Sequence, residues 1–257
     1  MEFFDPEGAP LVTPRQMVRN LTHRWIGTKA LQVETCALIT FIPHDLRALV
    51  KALRGEPLLP WKGYREVYQG YIGNKRVTLA LSPFGAPNAV ALAEELAAFG
   101  MRKALFLGYC GSLQQRVRVG DIVVPIEAIR EEGTSFHYLP ADVPCRPWQE
   151  IQAIIVDVLR KNKVPCHEGK IWTTDAIYRE TRGKVRRYQE DGVLAVEMEF
   201  SALFAFGISR GIKVGGFLVV SDELFEGRWH PRFFSLQLVR GARKARAMAL
   251  EILQEML

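Results

Sequence analysis

Acidic residues follow short apolar runs at three places in this chain. The runs end in Val196-Glu197-Met198-Glu199, Val220-Ser221-Asp222-Glu223 and Trp172-Thr173-Thr174-Asp175. A fourth, Leu107-Gly108-Tyr109-Cys110-Gly111-Ser112, carries glycines that let a ligand approach the backbone. If these runs are strands of an α/β sheet, all four features lie at carboxyl ends, beyond which such sheets bind ligands. The same acids suit the N-termini of the helices that follow, where negative charge is favoured. Position alone leaves both readings open.

The elements that would hold these residues alternate between short apolar runs and helical patterns, which is how an α/β fold reads. Strands are expected at 37–42, 77–81, 104–107, 122–124, 169–172, 194–196 and 216–220. A helix is expected from a cap at Asn88 through Phe99, with Leu92, Leu96 and Phe99 on one face and Gly100 ending it. Further helices are expected at 150–161 and, more polar and on the surface, at 182–190. The segment 200–208 is apolar nearly all round, so as a helix it must be buried. The chain closes on an amphipathic helix with Phe234, Leu238, Ala245, Ala249 and Ile252 along one side. The proline-rich stretch 139–148 reads as a loop, and one domain is the simplest organisation.

With 257 residues, 48% of them apolar and 24% charged, the chain can bury a full core and is not disordered. The net charge of +6 is too diffuse to identify a partner. Basic clusters at 182–187 and 240–246 lack interleaved aromatics, so solvated helix faces are expected and nucleic acid is not. Cys36, Cys110, Cys145 and Cys166 show neither CxxC pairing nor metal-ligand spacing. Buried thiols in a reduced, cytoplasmic protein follow, with no metal. No window of about 18 apolar residues is present to span a membrane. The glycines form no GxGxxG leading into a helix, so a dinucleotide cofactor is not expected.

Taken together the segments resemble a family. Ala195-Val196-Glu197-Met198-Glu199-Phe200-Ser201-Ala202-Leu203, followed by Val219-Val220-Ser221-Asp222, is similar to the nucleoside phosphorylases, a group that includes purine nucleoside phosphorylases, uridine phosphorylases and methylthioadenosine nucleosidases. Asp45-Leu46-Arg47, Gly85-Ala86-Pro87, Gly108-x-Cys110-Gly111-Ser112 and Val119-Gly120-Asp121-Ile122-Val123-Val124 match in family order. Glu132-Gly133-Thr134-Ser135-Phe136-His137-Tyr138 and Thr173-Thr174-Asp175-Ala176-Ile177-Tyr178-Arg179 complete the set. The likeness covers roughly 33–255 and implies a single α/β domain with a mixed central sheet flanked by helices. That domain would span 31–257, behind an N-terminal extension at 1–30 that has no functional reading.

The resemblance also implies a reaction. Glycosidic cleavage passes through an oxocarbenium-like state, and a carboxylate on the sugar hydroxyls favours its positive charge. That role maps to Glu199, with Glu197 beside it and Met198 packing on sugar or base. A departing purine is neutralised by a proton on its imidazole nitrogen, a role that maps to Asp222. The uridine-specific members lack an Asp there, which points to a purine. Gly108, Tyr109 and Thr174 would line the nucleoside site, with Ile177 and Tyr178 as a wall against the base. Arg179 or Arg182 would contact a carbonyl if the base were a pyrimidine. His137, beside aromatics, is read as a packed side chain.

Phosphate, the expected co-substrate, is where this sequence departs from the family. Arg47 matches a phosphate arginine, and Arg65 is the second, supplied across a subunit boundary. The other expected positions hold Pro43, Phe106 and Tyr109. The expectation is a phosphorylase that yields free base and ribose 1-phosphate and works as a homo-oligomer, a dimer or trimer of dimers. A nucleosidase using water through His44 or Asp45, a non-catalytic binding or storage protein, and uridine as substrate are the alternatives.

Overall fold

Each apolar run expected to be a strand is one, and the computed structural model lengthens most of them. It describes residues 3–5, 8–22 and 27–257; within the N-terminal extension, residues 1, 2, 6, 7 and 23–26 lie outside the described residues. The chain runs α1 (Pro14–Leu21), β1 (Cys36–Thr40), α2 (Pro43–Ala52), β2 (Glu56–Pro57), β3 (Val67–Ile72), β4 (Lys75–Leu81) and α3 (Ala86–Ala98). It continues with β5 (Lys103–Ser112), β6 (Ile122–Glu131), α4 (Gln149–Lys161), β7 (Cys166–Thr174), α5 (Arg182–Glu190) and β8 (Ala195–Glu197). The last elements are α6 (Phe200–Arg210), β9 (Lys213–Glu223), β10 (His230–Pro231) and α7 (Leu236–Met256).

The strands form one sheet in the order β10-β9-β6-β7-β8-β5-β1-β4-β3-β2, and β9 also pairs with β5. That extra pairing closes β5, β9, β6, β7 and β8 into a ring, with β1, β4 and β3 as an open wing. Parallel pairs (β1 with β4 and β5, β5 with β9, β6 with β7) mix with antiparallel ones (β3 with β4, β5 with β8, β6 with β9). The fold is a single mixed α/β domain.

One feature of the pairing makes a crevice. β9 follows one edge of β5 from Lys103 to Ser112. On the other edge β1 pairs only as far as Leu107, and β8 joins only at Gly111. Between them the β5 backbone at Gly108–Cys110 has no strand neighbour on that edge. A ligand binding there meets main-chain groups that no ladder consumes.

Two layers of helix cover the sheet. Leu46 and Leu49 of α2, Ile151 and Ile155 of α4, and Ala245, Ala249 and Ile252 of α7 pack into one core. On the opposite side Val18 of α1, Leu92 and Leu96 of α3, and Phe200, Phe204 and Phe206 of α6 form the other. Helix α6 is buried over its first eight residues, as its all-round apolar sequence requires, and ends at Gly211 with φ of 65°. No described helix is long and apolar enough to cross a membrane. The four cysteines are free thiols, three of them buried.

Three expectations need correction. The cap of α3 is Gly85, with φ of 91°, and not Asn88, whose side chain donates to the Phe84 carbonyl from inside the helix. A positive φ that only glycine adopts cheaply sets the helix start three residues earlier. Phe234 is 98% exposed and precedes α7, because the Ser235 hydroxyl accepts the Leu238 amide and fixes the first turn after it. Arg246 does not lie on a solvated face with Arg240 and Arg243; it turns inward onto Asp45.

Gly216 on β9 fixes how closely α6 approaches the sheet. A Cβ there would lie 2.5 Å from the Phe106 carbonyl oxygen and 2.8 Å from the Phe200 ring. Gly216→Ala is expected to lower the unfolding free energy by about 1–3 kcal/mol, because the added methyl overpacks this contact. A fall in melting temperature of several degrees in a thermal scan checks it, and an unchanged transition contradicts it.

Candidate active site

The acids at the strand ends converge on β5. Gly111 pairs with Val196 of β8 on one edge and with Asp222 of β9 on the other. Glu197 and Glu199 therefore stand to one side of this residue and Asp222 to the other. A register shift between Cys110 and Gly111 brings Asp222 in line. A side chain at Gly111 would lie 3.0 Å from the Asp222 carboxylate and 2.5 Å from Leu224. Gly108 is crowded by Leu218, Phe200 and Phe41. The glycines make room for protein, then, and leave the backbone edge for a ligand.

Glu197 and Glu199 divide the two readings that sequence left open. Glu197, 5% exposed, accepts the Glu199 amide at 2.6 Å, the Phe200 amide at 2.8 Å and the Thr173 hydroxyl. It caps α6. Thr173 Oγ1 accepts the Ser201 amide at 3.0 Å, and the Ser201 hydroxyl donates to Glu132 at 2.8 Å. Glu132 in turn accepts the Ser135 amide. A buried polar chain thus joins the ends of β6, β7 and β8 to α6.

Glu199 is the N-cap residue of α6, but no amide of that helix bonds its side chain. One carboxylate oxygen accepts the Gly85 amide at 2.7 Å, at the start of α3. A carboxylate has about four acceptor sites, so capacity remains for further donors. Burial pushes its pKa up, and the Gly85 and Met198 amides pull it back. Burial also raises Glu197, with the Glu199 charge adding to it. Met198, between them, is half-buried.

Asp222 accepts the Ser221 hydroxyl at 2.7 Å on one oxygen and the Trp229 indole N–H at 2.8 Å on the other. Burial raises its pKa most; the two hydrogen bonds oppose that rise and the Glu223 charge adds to it. Sequence reading missed a second carboxylate at this end. Glu180, just after the turn Ile177–Arg179, is pushed up to about 7 by burial and by the Asp222 charge. Of the expected base wall, Ile177 is half-exposed and Tyr178 is 97% exposed. Thr174 is buried and its hydroxyl accepts the Ala176 amide. Arg182 donates to the Gly227 carbonyl, and His137 stands exposed beside Phe3.

The positions expected to hold phosphate are engaged with protein or exposed. Pro43 is the first residue of α2. Phe106 is buried between Phe41 and Phe200. The Tyr109 hydroxyl donates to Asp45 at 2.7 Å, and Arg246 donates to the other Asp45 oxygen at 2.5 Å. Arg65 grips Glu95 through two nitrogens, with Tyr64 on the same carboxylate. Arg47 is exposed on α2 and enters no ion pair among the described residues. No cluster of metal-ligating side chains occurs among the described residues.

Comparison with known proteins places the chain in a family. Residues 35–254 match the phosphorylase superfamily. Guanosine phosphorylase of Halorubrum lacusprofundi is 33% identical over 164 residues, 64% of this chain and 68% of that protein. Uridine phosphorylase of Vibrio fischeri superposes with a TM-score of 0.79 at 24% identity, covering 88% of this chain and 94% of that one. Purine nucleoside phosphorylase of Toxoplasma gondii, solved with immucillin-H, gives 0.80 at 20% identity over 88% and 93%. These two structures are likenesses of fold. The chain belongs to the phosphorylase superfamily, whose nucleoside phosphorylases are pentosyltransferases.

The raised pKa of Glu180 has a consequence for stability. Its folded value, about 7, lies above the ordinary 4.5, so the folded protein holds this proton more tightly than the unfolded chain. Its contribution is fully present at low pH and is lost as pH rises between those values. Glu180→Gln removes that loss. The melting temperature of the variant relative to the unsubstituted protein is expected to be higher at pH 8 than at pH 5. An equal difference at both pH values would count against the assignment.

Proposed function

We propose that this member of the phosphorylase superfamily cleaves the base–sugar bond of a purine nucleoside and passes the sugar to phosphate. One observation carries the reading: a buried acid, Glu199, and a half-buried one, Asp222, flank Gly111 of β5, and desolvation raises the pKa of both. In the bond-breaking step the ribose becomes positive and the base negative. Glu199, anchored by Gly85, accepts the ribose hydroxyls, and those donors favour its charged form just where positive charge builds. Asp222 gives a proton to the imidazole nitrogen of the base. A carboxyl whose pKa burial raises keeps its proton to higher pH than a free aspartic acid, which suits that role.

Glu180 supports a purine as the base. Beside Asp222, its carboxylate suits the ring N–H and amino donors of a 6-oxopurine such as guanine. The guanosine phosphorylase relative agrees with this choice.

Phosphate would be held by Arg47, by the N-terminus of α2 and by the open backbone edge at Gly108–Cys110. Arg246 neutralises Asp45 in the first turn of α2, so that acid does not repel the anion. A second reading, hydrolysis by water, is favoured by Arg65, Phe106 and Tyr109, which are committed to protein contacts in this chain.

Release of free base from guanosine, inosine, adenosine and uridine, with and without phosphate, tests both readings. Phosphate-dependent cleavage of guanosine and inosine is expected; phosphate-independent cleavage supports hydrolysis. No release from any of the four overturns the proposal. Asp222→Asn is expected to lower kcat by about 10²- to 10⁴-fold, the usual contribution of a general acid. Arg47→Ala is expected to raise the KM for phosphate and leave that for the nucleoside nearly unchanged, which steady-state kinetics with each substrate varied will show.

A further inference from the structure

The segment from Leu224 to Ser235, between β9 and α7, is tied down at several points. Gln189 donates to the Phe225 carbonyl, Arg182 donates to the Gly227 carbonyl, and His230–Pro231 pairs with Asp222–Glu223. Trp229 sits within it, 59% exposed and tilted against Phe233 at 5.9 Å. Its only described hydrogen bond is the one from the indole N–H to Asp222.

That bond is in the wrong place for an acid about to act. The Trp229 indole can only donate to its oxygen of Asp222, whereas the Ser221 hydroxyl can give its one hydrogen to the other oxygen or to the Cys110 carbonyl at 3.3 Å. A proton on the oxygen that faces Trp229 would meet a donor, so this bond favours the anion and opposes the rise that burial imposes. The charges around Asp222 do not favour the anion. Glu180 stands beside it from the loop after β7, Glu223 follows on β9, and the Cys110 thiol lies beneath on β5. Across on β10, His230 faces Glu226. No ion pair to Asp222 occurs among the described residues, so neutral donors, Trp229 foremost, are what favour its anion. Ser221 is buried in the strand, whereas the Trp229 bond is at the surface, where water or a ligand competes with it.

We propose that Trp229 is a positioning residue that gates the acid: its indole N–H holds Asp222 as the anion between substrates, and the incoming base displaces it. The inference rests on the catalytic role given to Asp222 above. Once Trp229 leaves, Asp222 takes a proton from solvent. As the base–sugar bond breaks, its electron pair goes to the base and the Asp222 proton goes to the base nitrogen. The carboxylate is restored, and Trp229 returns to it. Trp229 keeps its own hydrogen throughout and gives up only a hydrogen bond.

Trp229→Phe keeps an aromatic ring and removes the donor. The reaction needs protonated Asp222, so activity falls as pH rises through its pKa. Losing a donor to the anion raises that pKa. In the variant the alkaline fall of kcat/KM is therefore expected to move up by roughly one pH unit. A wild-type profile with an unmoved alkaline limb in the variant overturns the gate and leaves the function intact.

The second measurement does not depend on activity. The chain has five tryptophans, and the emission difference between wild type and Trp229→Phe isolates this one. It is expected to titrate with pH in wild type and to stop titrating in Asp222→Asn. A titration that survives Asp222→Asn, or none in wild type, overturns the proposal even if no nucleoside is cleaved. Absence of cleavage alone refutes only the function on which it rests.

Discussion

Glu197 holds the first turn of α6 from below, accepting two backbone amides and the Thr173 hydroxyl with almost no water near it. Removing a carboxylate from water costs several kcal/mol, and only well-aligned donors offset it. Those donors come from β7 and from the helix itself, so the acid, the strand end and the helix are fixed as a unit. Glu199 is placed by this arrangement. With its neighbour satisfying the helix amides, its carboxylate is released from capping and turns to Gly85 instead. Two glutamates separated by one residue therefore serve opposite ends, one inward to the first turn of α6 and one across to the start of α3.

The crevice has a topological origin. A strand with three partners must change neighbours along one edge, and β5 does so between Leu107 and Gly111. The main chain in that interval keeps its polar groups available without strain or a long loop. Crowding by Leu218 and Phe200 at Gly108, and by Leu224 at Gly111, makes glycine necessary there for packing reasons. The same residues set the spacing between the sheet and the acids on either side.

Much of this was legible in the chain. Runs such as 77–81 and 216–220 are apolar on both sides and became internal strands. The all-apolar 200–208 could only be a buried helix. The strand-end acids fell where α/β sheets bind ligands. What pattern could not supply was pairing. β3, with Gln69 and Gly70 in its middle, has no clean alternation and is a strand because β4 lies beside it. Glu180 and Trp229 carry no local signal, since each gains meaning only from its distance to Asp222. Arg246 was misread for a related reason. On its own helix it belongs to a basic run, and only Asp45, 201 residues earlier, draws it inward.

That last contact ties the first turn of α2 to α7. A ribosome delivers β1, α2 and β5 long before residue 246, and domains tend to gather as they emerge. Until α7 docks, Asp45 lacks the Arg246 guanidinium that the folded protein sets against it. Contacts so distant in sequence are also the slowest to form. Loosening α7 would therefore leave the first turn of α2 with a negative charge that only the far end of the fold compensates.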